Sequence, residues 1–170
     1  VCSRKSKRVD VTLFYLIFSM LEQDRISKEI SDLRSGNKTV VFTNGCFDLL
    51  HQGHIDLIST SSTFGNILVV GLNSDESVKR LKGDKRPMQN VKERTSALIA
   101  TGYVDKVYTF EKDTPLDLIL EIKPDIIVKG GDYVAEDVVG YSEVINWGGE
   151  IKIVPITPGF STTSIIEKMR

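Results

Sequence analysis

A chain of 170 residues with 41% hydrophobic and 26% charged residues is typical of one globular domain and is long enough to bury a sizeable core. Its net charge of −1 argues against a nucleic-acid-binding protein, because such proteins usually carry a basic excess. The two cysteines, Cys2 and Cys46, are too few for a disulfide framework and favour a reducing, cytoplasmic compartment.

The N-terminal segment partly resembles a signal peptide, since residues 1–8 are basic and residues 11–21 are apolar. The apolar run is too short to span a bilayer as a helix, and no small-residue cleavage site follows it. Membrane association is therefore not expected. Two interpretations stay open for the segment, an additional packed element or an artefact of where the chain was started. We expect the working domain to begin near Met20.

From residue 22 onward, apolar periodicity and turn residues predict helices that alternate with strands. The predicted helices cover residues 22–33, 51–61, 75–81, 91–101, 115–122, most of 136–147, and 164–169. The predicted strands cover residues 39–43, 66–72, 106–110, 125–128 and 150–154. Because the strands are continuous apolar runs, we expect a single α/β domain, a Rossmann-like parallel five-stranded sheet with helices on both faces. In such sheets ligands bind beyond the carboxyl ends of the strands.

The first candidate site follows the first predicted strand. Gly45 breaks the strand, and His51 and His54 stand three residues apart at the start of a helix, which puts both imidazoles on one face. This pattern favours phosphate contact by imidazoles and by helix N-terminal N–H groups. A tight turn with two surface histidines is the structural alternative, and a zinc site would need a third ligand such as Cys46 or Asp48. Cys46 lacks an obvious base partner and is interpreted as a small buried residue.

Three further clusters follow later strands or precede helices. Residues 79–86 include five cations and precede Arg94, which predicts either a polyphosphate partner or a solvated loop. Residues 129–133 place two glycines after a buried strand, where a ligand can approach the backbone and Asp132 can accept hydrogen bonds from hydroxyls, or they form only a turn. Residues 158–163 offer hydroxyls that either cap the last predicted helix or bind phosphate.

These residues resemble the cytidylyltransferase-like branch of the nucleotidyltransferase superfamily, whose hallmark H-x-G-H is present as His51-Gln52-Gly53-His54. Within that branch the chain is most similar to heptose 1-phosphate adenylyltransferases, over about residues 37–170. The similarity lies in TNGCFDLLHQGH, VGLNSDESVKRLKGDKRP, Arg94, FEKDTP, PDIIVKGGDY, VGYSEV with GGEI, and STTSII. Cytidylyltransferases of the superfamily usually carry arginine where this chain has Ile156, which favours ATP over CTP. The N-terminal apolar segment has no match in the family.

The resemblance implies a nucleotidyltransferase domain over residues 37–170, preceded by an extension and helix over residues 1–36. It implies transfer of AMP from ATP to D-glycero-β-D-manno-heptose 1-phosphate, giving ADP-heptose for lipopolysaccharide or another surface glycan. Mg²⁺ is expected with the triphosphate, with no protein ligand identified. The expected partners are small-molecule substrates, without nucleic acid or membrane, and self-association into a homo-oligomer is left open. In many bacteria a sugar kinase domain precedes this domain in one polypeptide. We therefore expect the chain to be either a stand-alone enzyme or one half of a bifunctional enzyme.

The resemblance also implies roles for particular residues. The implied catalytic residues are His51, His54, Lys82 and Arg94, of which the last two would hold substrate phosphates. The implied nucleotide-binding residues are Asn44, Gly45, Phe47, His51, His54, Lys129, Gly130, Asp132, Ser161, Thr162 and Thr163. A glycerol-3-phosphate-type cytidylyltransferase and a non-catalytic nucleotide-binding domain are the alternative functions.

Overall fold

The computed structural model describes residues 25–131 and 133–155 of the chain. Its helices are residues 25–33 (α1), Gln52–Ser62 (α2), Asp75–Lys82 (α3), Val91–Ala100 (α4), Leu116–Ile122 (α5) and Tyr141–Asn146 (α6). Its strands are Val40–Gly45 (β1), Ile67–Asn73 (β2), Lys106–Phe110 (β3), Ile126–Gly130 (β4) and Glu150–Val154 (β5). The predicted helix over residues 164–169 and the predicted domain start near Met20 lie outside the described residues.

The five strands form one parallel sheet in the order β3-β2-β1-β4-β5. The chain moves outward from β1 through β2 to β3 and then returns to the other side of β1 to add β4 and β5. This arrangement confirms the predicted parallel α/β fold. The change of direction leaves a crevice beyond the carboxyl ends of β1 and β4, which is where open parallel sheets bind ligands.

Helices cover both faces of the sheet, because successive strand residues point to opposite sides and both sides are apolar. Phe42 packs with Ile127 on one face, whereas Val41 packs with Ile58 on the other. Helix α1 belongs to the first of these layers, since its Ile30 is only 2% exposed within that core. The boundary after residue 36 stays a prediction, but the helix before it packs as part of the core.

The stretch predicted to be mostly helical, residues 136–147, is divided into two elements in the structure. The structure has a short 3₁₀ turn at Ala135–Asp137, and α6 begins only after Gly140. Gly140 has a φ of 89°, and a Cβ atom built there would lie 3.0 Å from the Ile119 side chain. The left-handed turn and the close approach to α5 therefore interrupt the helix. Among the helices of residues 25–131 and 133–155, none has the length and apolarity to cross a membrane.

Candidate active site

The crevice between β1 and β4 is bridged by a lysine. Asn44 and Gly45 end β1, and Lys129 and Gly130 end β4. The Lys129 Nζ donates a hydrogen bond to Asn44 Oδ1 at 2.8 Å. Burial lowers the pKa of the Lys129 ammonium, and the neighbouring Cys46 opposes that shift. Two pairs of residues about 85 positions apart in the sequence are thus brought together at the expected end of the sheet.

The two histidines lie beside this crevice at the start of α2. Their rings are stacked, with centroids 3.7 Å apart and planes 19° from parallel. Phe47 presents its edge to His54, with the ring centroids 5.3 Å apart. Nδ1 of both His51 and His54 is buried and has no hydrogen-bond partner among the described residues. A polar group that is buried without a partner costs free energy, so a ligand that bonds to these nitrogens would relieve that cost.

Burial keeps the histidine pair neutral at ordinary pH. It lowers the pKa of His54 to about 4, and the charges of His51 and Lys82 act in the same direction, whereas Asp48 opposes them. Burial and then Lys82 also lower the pKa of His51. Neutral imidazoles can each donate one N–H hydrogen bond, and two stacked rings at 3.7 Å disfavour double protonation. The pair is therefore suited to hydrogen bonding with an anion.

The depressed pKa of His54 predicts a particular acid sensitivity. An unfolded histidine titrates near 6.5 and the folded His54 near 4, so the unfolded state binds the additional proton between these values. The free energy of unfolding should therefore fall as the pH drops from about 6.5 to about 4. Urea unfolding of the wild type and of His54→Gln, measured at pH 7.5 and 4.5, should show a steeper loss for the wild type. An equal decrease in the free energy of unfolding for both proteins would contradict a lowered pKa of His54.

Asp48 organises the loop between α3 and α4, a role that the sequence analysis missed. Its carboxylate is 1% exposed and accepts hydrogen bonds from Arg86 Nε at 2.6 Å, from Met88 N at 2.9 Å and from Gln89 N at 3.1 Å. Burial alone would raise the pKa of Asp48, but these hydrogen bonds hold it below its usual range. The only sign of this role in the sequence was that Asp48 is the one acidic residue between the first strand and the histidines.

The metal alternative finds no support in the described part of the chain. The Asp48 carboxylate is occupied by the three donors just named. In residues 25–131 and 133–155, no three histidine, cysteine, aspartate or glutamate side chains come together in a group that could hold a metal ion. Cys46 is half-buried, with its Sγ 3.8 Å from Asn73 Oδ1.

Arg94 is fully buried. Its guanidinium donates from Nε to Gln89 O at 3.0 Å, from Nη1 to Cys46 O at 2.7 Å and Asn73 O at 2.9 Å, and from Nη2 to Asp75 Oδ1 at 2.7 Å. Four of the five N–H groups of an arginine are thereby used. The resemblance implied that Arg94 contacts phosphate. In the structure its guanidinium group instead donates hydrogen bonds to acceptors of the protein itself.

The remaining candidate residues divide into two groups. Lys82 is exposed at the end of α3, and its charge adds to the effect of burial in lowering the pKa of both histidines. Asp132 and the segment after residue 155 lie outside the described residues, so Ile156, Ser161, Thr162 and Thr163 have no described position. The residues that the structure brings together are Asn44, Gly45, Phe47, His51, His54, Lys82, Lys129 and Gly130.

Comparison with known proteins gives consistent matches. A family model described as cytidylyltransferase-like matches residues 42–168. The bifunctional protein HldE of Koribacter versatilis is 53% identical over 135 residues, covering 79% of this chain and 28% of that protein. The bifunctional protein HldE of Marinomonas sp. is 42% identical over 170 residues, covering 98% of this chain and 36% of that protein. The chain thus spans about a third of the length of these relatives.

A solved structure has a related fold. The lipopolysaccharide core biosynthesis protein of Thermoplasma volcanium matches with a TM-score of 0.58 and 28% sequence identity. The match covers 71% of this chain and 98% of that one.

Proposed function

We propose, since the chain belongs to the cytidylyltransferase-like family, that it transfers AMP from ATP to D-glycero-β-D-manno-heptose 1-phosphate and releases pyrophosphate. The observation that carries the proposal is the neutral, stacked pair of His51 and His54, whose buried Nδ1 atoms have no partner in the described chain. The relatives named HldE and the neighbour named for lipopolysaccharide core biosynthesis support a sugar phosphate as the acceptor. The motifs LKGDKRP and VKGGDY support heptose in particular.

The proposed reaction is a direct displacement at phosphorus. An oxygen of the sugar 1-phosphate attacks the α-phosphorus of ATP, the bond from that phosphorus to the bridging oxygen breaks, and pyrophosphate leaves with the electron pair. Such transfers depend on positioning and on charge stabilisation more than on covalent catalysis. Imidazole N–H groups of His51 and His54, with the N-terminal N–H groups of α2, would donate hydrogen bonds to the phosphate oxygens as charge develops.

The crevice itself would bind the nucleotide. Gly45 and Gly130 lie at the carboxyl ends of the adjacent strands β1 and β4. A Cβ atom on Gly130 would lie 3.2 Å from the Leu57 side chain, so this glycine lets α2 pack closely against the end of β4. Lys129, already oriented by Asn44, would contact a polar group of the nucleotide. Phe47 would keep the His54 ring in place. Asp132, Ser161, Thr162 and Thr163 are proposed as nucleotide-binding residues from the resemblance alone.

We assign Arg94 a positioning role instead of a phosphate contact. It joins the chain after β1, at Cys46, to the end of β2, at Asn73. The start of α2 and the crevice depend on the placement of both strand ends. Mg²⁺, which triphosphates ordinarily carry, would be held mostly by phosphate oxygens, and no cluster of three metal-ligating side chains lies in the described residues.

Lys82 provides a test of the proposed phosphate contacts. Lys82→Ala should raise the KM for one or both substrates on the order of tenfold, because it removes a cation near the phosphates. Thermal stability should stay unchanged, since the side chain is exposed. The control is Arg80→Ala, which removes a charge that pairs with Asp113 on the surface. A melting temperature lowered by several degrees with unaltered kinetics would make Lys82 structural.

The function itself is tested by pyrophosphate release. The purified chain is assayed with ATP and CTP against heptose 1-phosphates, other sugar 1-phosphates and glycerol 3-phosphate. We expect turnover with ATP and a heptose 1-phosphate. Turnover only with CTP and glycerol 3-phosphate would replace the proposal with a cytidylyltransferase, and binding of ATP without turnover on any acceptor would favour a non-catalytic domain.

A further inference from the structure

We propose that Arg86 binds a phosphate group of one of the two substrates and is the arginine that completes the site. This inference rests on the proposed function and assigns a substrate contact to a residue outside the motif H-x-G-H. It starts from a difference between two arginines of the described chain, the partly exposed Arg86 and the fully buried Arg94.

The two arginines differ in how fully their guanidinium groups are used. Arg94 has four N–H groups on protein acceptors. Arg86 has one side-chain hydrogen bond in the described chain, from Nε to Asp48 Oδ2 at 2.6 Å, and its Nη2 is buried with no partner there. An unpartnered buried donor on a charged group is costly, so Arg86 retains hydrogen-bonding capacity that Arg94 has already used.

Arg86 is also held firmly in place. Its side chain is only 13% exposed and pairs with an Asp48 carboxylate that is itself completely buried. Its backbone N–H donates to Gly83 O at 3.0 Å, which closes a turn just after Lys82. Fixing Nε through a carboxylate orients the planar guanidinium and reduces the entropy lost when its other edge binds a ligand.

Asp48 and Lys82 connect Arg86 to the region of the histidine pair. Asp48 precedes His51 by three residues, and its charge acts on His54. Arg86 lies 2.6 Å from that same carboxylate, and the charge of Lys82, at the start of its loop, acts on both rings. A carboxylate that neutralises one edge of a guanidinium leaves the other edge for an anion, and phosphate oxygens fit the fork of N–H donors.

The phosphate has two sources in the proposed reaction, the triphosphate of ATP and the sugar 1-phosphate. Both present the same oxygens to a guanidinium. The experiment therefore measures dissociation constants by calorimetry for ATP, inorganic tripolyphosphate and heptose 1-phosphate separately. The proteins compared are the wild type, Arg86→Ala, Arg86→Lys and the control Arg80→Ala.

We expect Arg86→Ala to weaken binding of at least one of these ligands on the order of 10- to 100-fold. Arg86→Lys keeps a charge but lacks the fork, so it should recover only part of the affinity, and it serves as the test if the alanine variant does not fold. Arg80→Ala, whose guanidinium pairs with an exposed Asp113, should bind all three ligands like the wild type. A loss limited to ATP and tripolyphosphate would assign Arg86 to the nucleotide, and a loss limited to heptose 1-phosphate would assign it to the acceptor.

The proposal is overturned if Arg86→Ala, or Arg86→Lys in its place, binds all three ligands with wild-type affinity. A lowered melting temperature with that result would make the Arg86–Asp48 pair purely structural. The binding measurements do not require turnover. A wild type that binds ATP in an Arg86-dependent way but releases no pyrophosphate would contradict the proposed function while supporting the role of Arg86.

Discussion

Replacing His54 with alanine is expected to lower kcat on the order of 10²- to 10³-fold and to leave the dissociation constant for ATP nearly unchanged. Removing one pre-organised donor to a developing charge typically has an effect of this size. His54 is positioned for that role by stacking on His51 and by the edge of Phe47. Steady-state pyrophosphate release and equilibrium ATP binding measure the two quantities independently.

The control for this prediction lies within the same helical turn. Gln52 is exposed, and its Nε2 donates to Asp56 Oδ1 at 2.7 Å on the surface of α2. Gln52→Ala should therefore keep wild-type kcat. A near-normal kcat in the folded His54→Ala variant would remove His54 from the mechanism.

Replacing Arg94 with alanine is expected to destabilise the fold by about 3–5 kcal/mol. Three backbone carbonyls, those of Cys46, Asn73 and Gln89, would lose a guanidinium donor, and Asp75 would lose its partner. For a chain of this size the melting temperature should fall by roughly 10 °C or more, measured by circular dichroism. The decrease in melting temperature should exceed that caused by replacing any exposed basic residue of the neighbouring loop with alanine.

Arg80→Ala is the matched comparison, because it also removes an arginine bonded to a carboxylate and to a backbone carbonyl. That arginine is 47% exposed, and surface ion pairs contribute about 0–1 kcal/mol. Its melting temperature should change by no more than a few degrees. If Arg94→Ala instead melted like the wild type and showed a raised KM, Arg94 would contact substrate as the resemblance implied.

Two buried charged side chains thus have structural roles around this site. Arg94 joins backbone segments that come from different parts of the chain, and Asp48 fixes the loop that carries Arg86. We expect substitutions at Asp48 or Arg94 to reduce activity through misplaced strand ends and loops as well as through lost stability.

The secondary structure could be predicted closely from local patterns. Apolar runs and the residues that interrupt them indicated all five strands and most helices of the described chain. The pattern did not show where the mostly helical stretch over residues 136–147 is interrupted, at Gly140, which adopts a left-handed conformation against the side chain of Ile119. That contact joins segments 21 residues apart, and a helical period read along one segment does not report it.

Local features of the sequence predict a phosphate-binding site, because a strand, a glycine turn and two histidines at a helix start follow one another along the chain. Which arginine keeps an N–H group without a protein partner in the described chain depends on the tertiary structure. Two of the three carbonyls that bind Arg94, and the carboxylate that holds Arg86, come from positions 21 to 48 residues away along the chain. Hydrogen-bond saturation of a side chain depends on such long-range contacts, and residue type and spacing do not encode it.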